Sequence, residues 1–249
     1  MKNLSLILII LVSFLFSNLL KPEYADTLSS IHILFEWDQE PDAIEYNIQI
    51  SNDELFENIL LDFNEIHTVY IEKNIISWDN TFYWRVRPVY DNESYGAWIN
   101  QSMFTTSPSI LQHFDISIYN HDLLQDGLII ISQFAPILTV GVIDEFGNEI
   151  WNSRQEDDLG GLLNYVDKSS GQLFAKKGSQ GINFNFNNDI LWTSPSNTII
   201  DLHEMQQLPN DNYMCFIPVE ELGPIVEDEI WTELFQSLGY EADGETIEF

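Results

Sequence analysis

The residues best suited to chemistry lie in one run, Leu202-His203-Glu204-Met205-Gln206-Gln207-Leu208-Pro209-Asn210-Asp211-Asn212-Tyr213-Met214. His203 opens a strand-like stretch that ends in a group of turn-forming residues, Leu208 to Asn212. An imidazole titrates near neutral pH, so His203 can serve as a general acid or base, as a donor to an oxyanion, or as a nucleophile. Glu204 is the next residue of the strand and points to the opposite face, so it does not orient His203. The other histidines, His32, His67, His113 and His121, sit in no partner motif. The single cysteine, Cys215, lies in the apolar run Tyr213-Met214-Cys215-Phe216 and is expected to be a small buried hydrophobe. One cysteine permits no intrachain disulfide. No zinc or EF-hand spacing and no phosphate-cradling glycine loop occurs, so neither a metal nor a cofactor is expected.

The elements that must position His203 announce themselves by repetition. Val142-Ile143-Asp144-Glu145-Phe146-Gly147-Asn148-Glu149-Ile150-Trp151 is echoed by Asn183-Phe184-Asn185-Phe186-Asn187-Asn188-Asp189-Ile190-Leu191-Trp192, with the two tryptophans 41 residues apart. After each tryptophan comes a second hairpin-like pair of apolar runs, Leu162 to Phe174 and then His203 to Phe216. Four short strands in about 40 residues is the period of a β-propeller blade, whose innermost strand lines a central channel. His203 falls at the start of such an inner strand, and its counterpart one repeat earlier is Leu162. Beyond Ile217-Pro218 the regularity breaks. Glu220 to Glu233 is acidic with a helical hint, Gly239 to Gly244 is a polar turn, and Thr246 to Phe249 resembles a starting strand. From Leu128 to Phe249 there is room for two to three blades, whereas propellers close with four to eight. The chain is therefore expected to be the front piece of a longer protein.

The N-terminal half has a different rhythm. Residues 1–20 read as a signal peptide: Lys2, then a nearly unbroken apolar run from Leu4 to Leu20. Cleavage is expected between Ser17 and Ala25, which implies a secreted or periplasmic protein. Between Ile31 and Thr106 short alternating strands follow one another, as in Phe82-Tyr83-Trp84-Arg85-Val86-Arg87, with Phe82, Trp84 and Val86 on one face. Ser107-Pro108-Ser109 is a linker. The expected architecture is all-β: a signal over 1–20, a β-sandwich over 25–107, and an incomplete propeller over 108–249.

Charge removes two classes of partner. Lys and Arg total 9 against 40 Asp and Glu, a net charge of −31. That field repels nucleic acid and anionic membrane surfaces, so no nucleic acid is expected, and no membrane beyond the N-terminal signal. No Lys or Arg follows Lys177.

Two resemblances add to this reading. The sandwich region resembles a bacterial fibronectin type III domain through Phe35-x-Trp37, Tyr46-x-x-Gln49-Ile50-Ser51, Thr81 to Arg87 and Phe104-Thr105-Thr106. The family's corner tyrosine falls at Phe82, so packing is expected to hold that corner. His203, Glu204, Leu208, Pro209, Asn210 and Asn212 resemble the His-His-Asp and Leu-Pro-Asn-Gly-Asn pattern of bacterial arylsulfotransferases, which are secreted propeller enzymes; Leu202 stands for the first His and Asp211 for the Gly. Ile143-Asp144-x-x-Gly147-Asn148-x-x-Trp151 is similar to that family's blade turn. The resemblance implies transfer of a sulfuryl group from a phenolic sulfate ester to a phenol without a phosphoadenosine cofactor. It implies small phenolic or aryl-sulfate substrates and a site role for His203, more in stabilising sulfuryl oxygens or in proton transfer than as nucleophile. Further His and Arg are expected after Phe249. The alternative expectation is a non-enzymatic surface module that binds glycans or a partner protein.

Overall fold

The structure is a computed structural model. It describes residues 18–111, 120–123, 127–133, 139–153, 162–167, 169–201 and 205–217, together with the short strands Glu221–Leu222 and Thr246–Ile247. The chain divides into two compact units, Met1–Ser109 and Ile110–Phe249. The described residues are almost entirely strand and turn, with one short 3-10 turn at His121–Leu123, so the all-β expectation is met.

The first unit holds β1 (Leu19–Lys21), β2 (Asp26–Leu28), β3 (Ile33–Trp37), β4 (Glu45–Ser51), β5 (Ile59–Glu65), β6 (Val69–Glu72), β7 (Thr81–Val89) and β8 (Asn100–Thr106). They form two sheets, β1-β3-β6 and β2-β8-β7-β4-β5. All pairs are antiparallel except β2 with β8. The alternation in β7 is as expected: Phe82, Trp84 and Val86 are buried while Tyr83, Arg85 and Arg87 are half-buried on the other face. Phe35 from the small sheet meets Trp84 edge-on at 5.1 Å and Phe104 at 5.9 Å, which locks the two sheets together. Phe82 stacks on Phe104 at 5.5 Å, so packing does hold the corner where a tyrosine hydroxyl is missing. The sequence expectation omitted β1, β2 and β5. In β5 the half-buried Leu61 and Phe63 alternate with the exposed Asp62 and Asn64, and those polar residues hid the strand. β1 pairs with β3, Leu19 opposite Trp37, so cleavage at the early edge of the expected window, near Ser17, leaves the sandwich whole. The expected signal, 1–20, overlaps β1 at Leu19 and Leu20, and its residues 1–17 lie outside the described residues.

The second unit starts with a three-stranded sheet, β9 (Ile129–Gln133), β10 (Thr139–Ile143) and β11 (Glu149–Asn152), in the order β11-β10-β9. A four-stranded antiparallel meander follows: β12 (Leu162–Asp167), β13 (Gln172–Lys177), β14 (Gln180–Phe184) and β15 (Ile190–Thr193). The hairpin β16 (Met205–Gln207) and β17 (Tyr213–Cys215) comes next. Last are β18 (Glu221–Leu222) and β19 (Thr246–Ile247), which pair with each other. Thus the helical hint over Glu220–Glu233 gives way to strand where residues are described, and 223–233 lies outside the described residues.

The sequence repeat is also a repeat of register. Gly141 faces Asn152, Val142 faces Trp151, and Ile143 faces Glu149 after a slip in register. One period later Ile182 faces Thr193, Asn183 faces Trp192, and Phe184 faces Ile190 after the same slip. The turns match bond for bond. The N–H of Asp144 donates to the carbonyl of Asn148 (3.0 Å) and that of Gly147 to the carbonyl of Asp144 (3.1 Å). Asn185 and Asn188 repeat this with Asp189 and Asn185, at 3.2 and 3.0 Å. In each turn the first side chain accepts two backbone N–H groups through its Oδ1: Asp144 from Phe146 and Asn148, Asn185 from Asn187 and Asp189.

Candidate functional site

The site expected from sequence falls between Asp201 and Met205 of the second unit. Its central residue, His203, lies outside the described residues, as do Leu202 and Glu204, and the structure therefore gives no contact for the imidazole. What it does give is the frame on both sides. The N–H of Asp201 donates to the carbonyl of Phe216 at 2.9 Å, and Met205 pairs with Cys215, so three residues bridge two fixed points. β16 lies against β12 and β13. Met205 is 1% exposed and packs with Phe174 and Ile200, which anchors the hairpin. Gly181 sits directly beneath the Met205 sulfur, where a Cβ would collide with it.

The turn following β16 explains the departure from the Leu-Pro-Asn-Gly-Asn pattern. Leu208 N–H donates to the Asn212 carbonyl (2.7 Å), Asp211 N–H donates to the Leu208 carbonyl (3.0 Å), and Asp211 has φ 63°. The position needs a left-handed residue, and Asp, like Gly and Asn, accepts that conformation. It is the same turn as at Gly147 (φ 84°) and Asn188 (φ 66°).

Cations near the inner strand come from the preceding repeat. Lys176 pairs in register with Leu162, the counterpart of His203, at the same end of the inner strand. Among the described residues no group of three His, Cys, Asp or Glu could hold a metal. His67 Nδ1 lies 2.9 Å from Glu65 at the exposed surface of the first unit, and no second histidine meets it among the described residues.

A cleft of about 1070 Å³ opens beside the β16–β17 hairpin. Leu191, Trp192, Tyr213, Cys215 and Ile217 form its walls, with Asn183 and Gln172 between them. The Trp192 and Tyr213 rings lie parallel, 3.7 Å apart between centroids. Asn183 is 3% exposed; its Nδ2 donates to Gln172 Oε1 (2.7 Å) and Tyr213 Oη (3.3 Å), and its Oδ1 has no partner among the described residues. Cys215 is half-buried at the wall, not fully buried as its apolar run suggested, because β17 is the last strand of its sheet.

The first unit holds an arrangement that sequence reasoning missed. On the outer face of β7, Arg85 is sandwiched between Phe56 (3.9 Å) and Trp98 (4.1 Å), and Arg87 between Trp98 (4.3 Å) and Tyr95 (3.9 Å). Gln49 accepts from Arg85 Nε and Nη2 at 2.9 and 2.7 Å, and Asn47 accepts from Arg87 Nε at 2.9 Å. Asp62 binds the amide nitrogens of Asn47 and Gln49 at 2.7 and 2.8 Å. One carboxylate thus steers two guanidinium groups through two amides. Burial, with the Arg87 charge beside it, lowers the pKa of Arg85. The signal was the alternation Tyr83, Arg85, Arg87, which marks a polar face but not its aromatic cover.

No family model matches the sequence, and no curated protein matches it. Among solved structures, an Fn3-like protein from Clostridium thermocellum is similar, at 16% identity over 38% of this chain and 93% of that chain, with a TM-score of 0.30.

Proposed function

We propose that this chain is part of a secreted or periplasmic aryl-sulfate sulfotransferase, a fibronectin type III-like sandwich followed by propeller blades, in which His203 serves the transfer of a sulfuryl group. The observation that supports the reading is the register-exact repeat: β12–β15 is a four-stranded meander, the strand number of a blade, and β16 packs against β12 and β13. Inner strands line the channel where propellers keep their sites, and the repeat in the sequence puts His203 at the start of such a strand.

The chemistry suits the residue. A phenolic sulfate carries negative charge on three sulfuryl oxygens, and charge on them must be offset as the ester S–O bond breaks. A cationic or neutral imidazole donates to such an oxygen, or passes a proton between the leaving and the accepting phenol. Lys176, on β13, pairs with Leu162 at the corresponding end of β12 and offers positive charge that the sequence after Lys177 lacks. Initial rates with donor and acceptor varied together test the reading: two-step transfer through a covalent intermediate gives parallel double-reciprocal lines. Intersecting lines remove the covalent intermediate.

A second reading, a binding module for glycans or a partner protein, draws on the arginine–aromatic stack. Its outer ring, Tyr95, is 52% exposed and offers a face to a sugar. Glycan binding that Tyr95→Ala abolishes and His203→Ala leaves intact supports it.

A further inference from the structure

The outer face of β7 carries positive charge that the protein does not neutralise. Arg85 and Arg87 stand two residues apart on that face. The chain has 40 Asp and Glu against 9 Lys and Arg, yet among the described residues no carboxylate pairs with either guanidinium. Asp62 reaches them only through the amides of Asn47 and Gln49. Those amide oxygens take part of each fork. Gln49 accepts from Nε and Nη2 of Arg85, and Asn47 accepts from Nε of Arg87, which leaves both Nη1 and Nη2 of Arg87 without a partner among the described residues. Rings cover the guanidinium faces, so a partner can meet only an edge. The free edge of Arg87 is the end-on pair of nitrogens that fits two oxygens of a carboxylate or a sulfate.

The backbone holds the stack in place. Loop 90–99 is laced to β7: the Gly96 N–H donates to the Pro88 carbonyl (2.9 Å), the Ile99 N–H donates to the Val86 carbonyl (2.7 Å), and Tyr95 bridges Val89. Gly96 lies so close that a Cβ would meet the Pro88 ring at 2.6 Å. Tyr95 and Trp98 lie within this lacing. Tyr95 ends the stack. Arg87 covers one of its faces, no second ring meets it among the described residues, and it is 52% exposed. A flat apolar surface therefore stands beside the free edge of Arg87.

We infer that the Arg87–Tyr95 end of the stack binds an acidic saccharide: Arg87 grips an oxyanion, either a carboxylate or a sulfate ester, and the sugar ring lies on Tyr95. This rests on the reading of the chain as a glycan-binding module and names the class of glycan. The net charge of −31 narrows that class. The field of the whole chain repels a densely charged polymer, so the anion is an isolated one on an otherwise neutral saccharide. Burial, and after it the Arg87 charge, lower the Arg85 pKa, with Asp62 acting the other way. An anion on this face relieves the repulsion between the two arginines.

NMR titration of the full chain with four methyl glycosides tests this. They are a glucuronide, a galacturonide, a glucoside sulfated on its primary hydroxyl and the plain glucoside, with sodium sulfate alongside. An acidic glycoside should shift the Arg87 Nε–H and Tyr95 ring signals and bind on the order of tenfold or more tighter than the plain glucoside, the margin of one charge-assisted pair. Binding of a uronide or of the sulfated glucoside supports the inference, and the tighter of the two names the source of the oxyanion. Arg87→Lys keeps the charge and should erase most of the preference, while Tyr95→Ala should weaken every glycoside that binds. If either variant lowers the thermal midpoint, the wild-type Arg87 Nε–H signal decides, since it reports the contact without a substitution. Equal binding of plain and acidic glycosides overturns the inference and leaves the glycan reading standing. Binding of none overturns both. Sodium sulfate that binds as tightly as the sulfated glucoside shows that the sugar adds nothing, and also overturns the inference.

Discussion

The indole of Trp151 and the backbone of Phe186 are joined by a 2.6 Å hydrogen bond that crosses from the outer strand of one repeat to the turn of the next. Trp151 is 4% exposed, so its N–H has no water to fall back on. Trp151→Phe keeps the ring and deletes the donor, and should destabilise the second unit by about 1 kcal/mol. Trp151→Ala also opens a cavity and should cost roughly 3–5 kcal/mol. Urea unfolding of the two variants, followed by circular dichroism, separates the two effects.

The three turns predict which substitutions they accept. Gly147, Asn188 and Asp211 occupy one position with φ of 84°, 66° and 63°. Gly147→Asn should therefore be nearly neutral, whereas Gly147→Val should cost at least about 1–2 kcal/mol, the penalty of a β-branched residue held left-handed. Denaturation midpoints measure both.

The stack on β7 should depend on guanidinium shape as well as charge. Arg85→Lys keeps the charge but loses the planar group that lies between Phe56 and Trp98 and reaches Gln49 with two nitrogens. The sandwich should lose about 1–3 kcal/mol. A midpoint equal to the wild type's would show that charge alone holds the face.

Acid and alkali should both act on one pair, Tyr70 and Glu72, whose Oη and Oε2 are 2.7 Å apart. Burial pushes the Glu72 carboxyl up, but the Tyr70 hydroxyl and the N–H groups of Asn74, Ile75 and Lys73 outweigh it and hold the pKa below the usual 4.5. A depressed carboxyl stabilises the fold fully above its unfolded value, and that contribution is lost as pH falls through the folded value. Burial first, and the Glu72 carboxylate second, raise the Tyr70 pKa above the usual 10.0. The stability tied to this hydroxyl is complete below pH 10.0 and disappears as pH rises towards the folded value. Glu72→Gln should flatten the acid limb of sandwich stability, measured by thermal unfolding across pH.

How much was legible in the sequence differs between the two units. The 41-residue period, the turns and the strand pairing of the second unit were legible because each turn needs a particular residue in a left-handed position and each tryptophan marks an outer strand. In the sandwich, the alternation of Phe82, Trp84 and Val86 located β7, but β5 went unseen because Asp62 on its outer face is a partner for amides and not a loop residue. The arginine stack could not be inferred, since Phe56 and Trp98 come from loops on either side of β7. In the candidate site, the strand and turn flanking His203 followed from spacing, while the pairing of Lys176 opposite Leu162 required the register itself.

The most direct measurement of the central claim is acceptor-dependent release of a coloured phenol from an aryl sulfate by the complete protein that contains this chain, compared with its His203→Ala variant. The account predicts release that rises with added phenol and falls by on the order of 10²–10⁴ in the variant, the range expected for loss of an acid–base or oxygen-stabilising group. Release that is absent in the complete wild-type protein, or equal in both proteins, contradicts the assignment of His203 and of sulfuryl transfer.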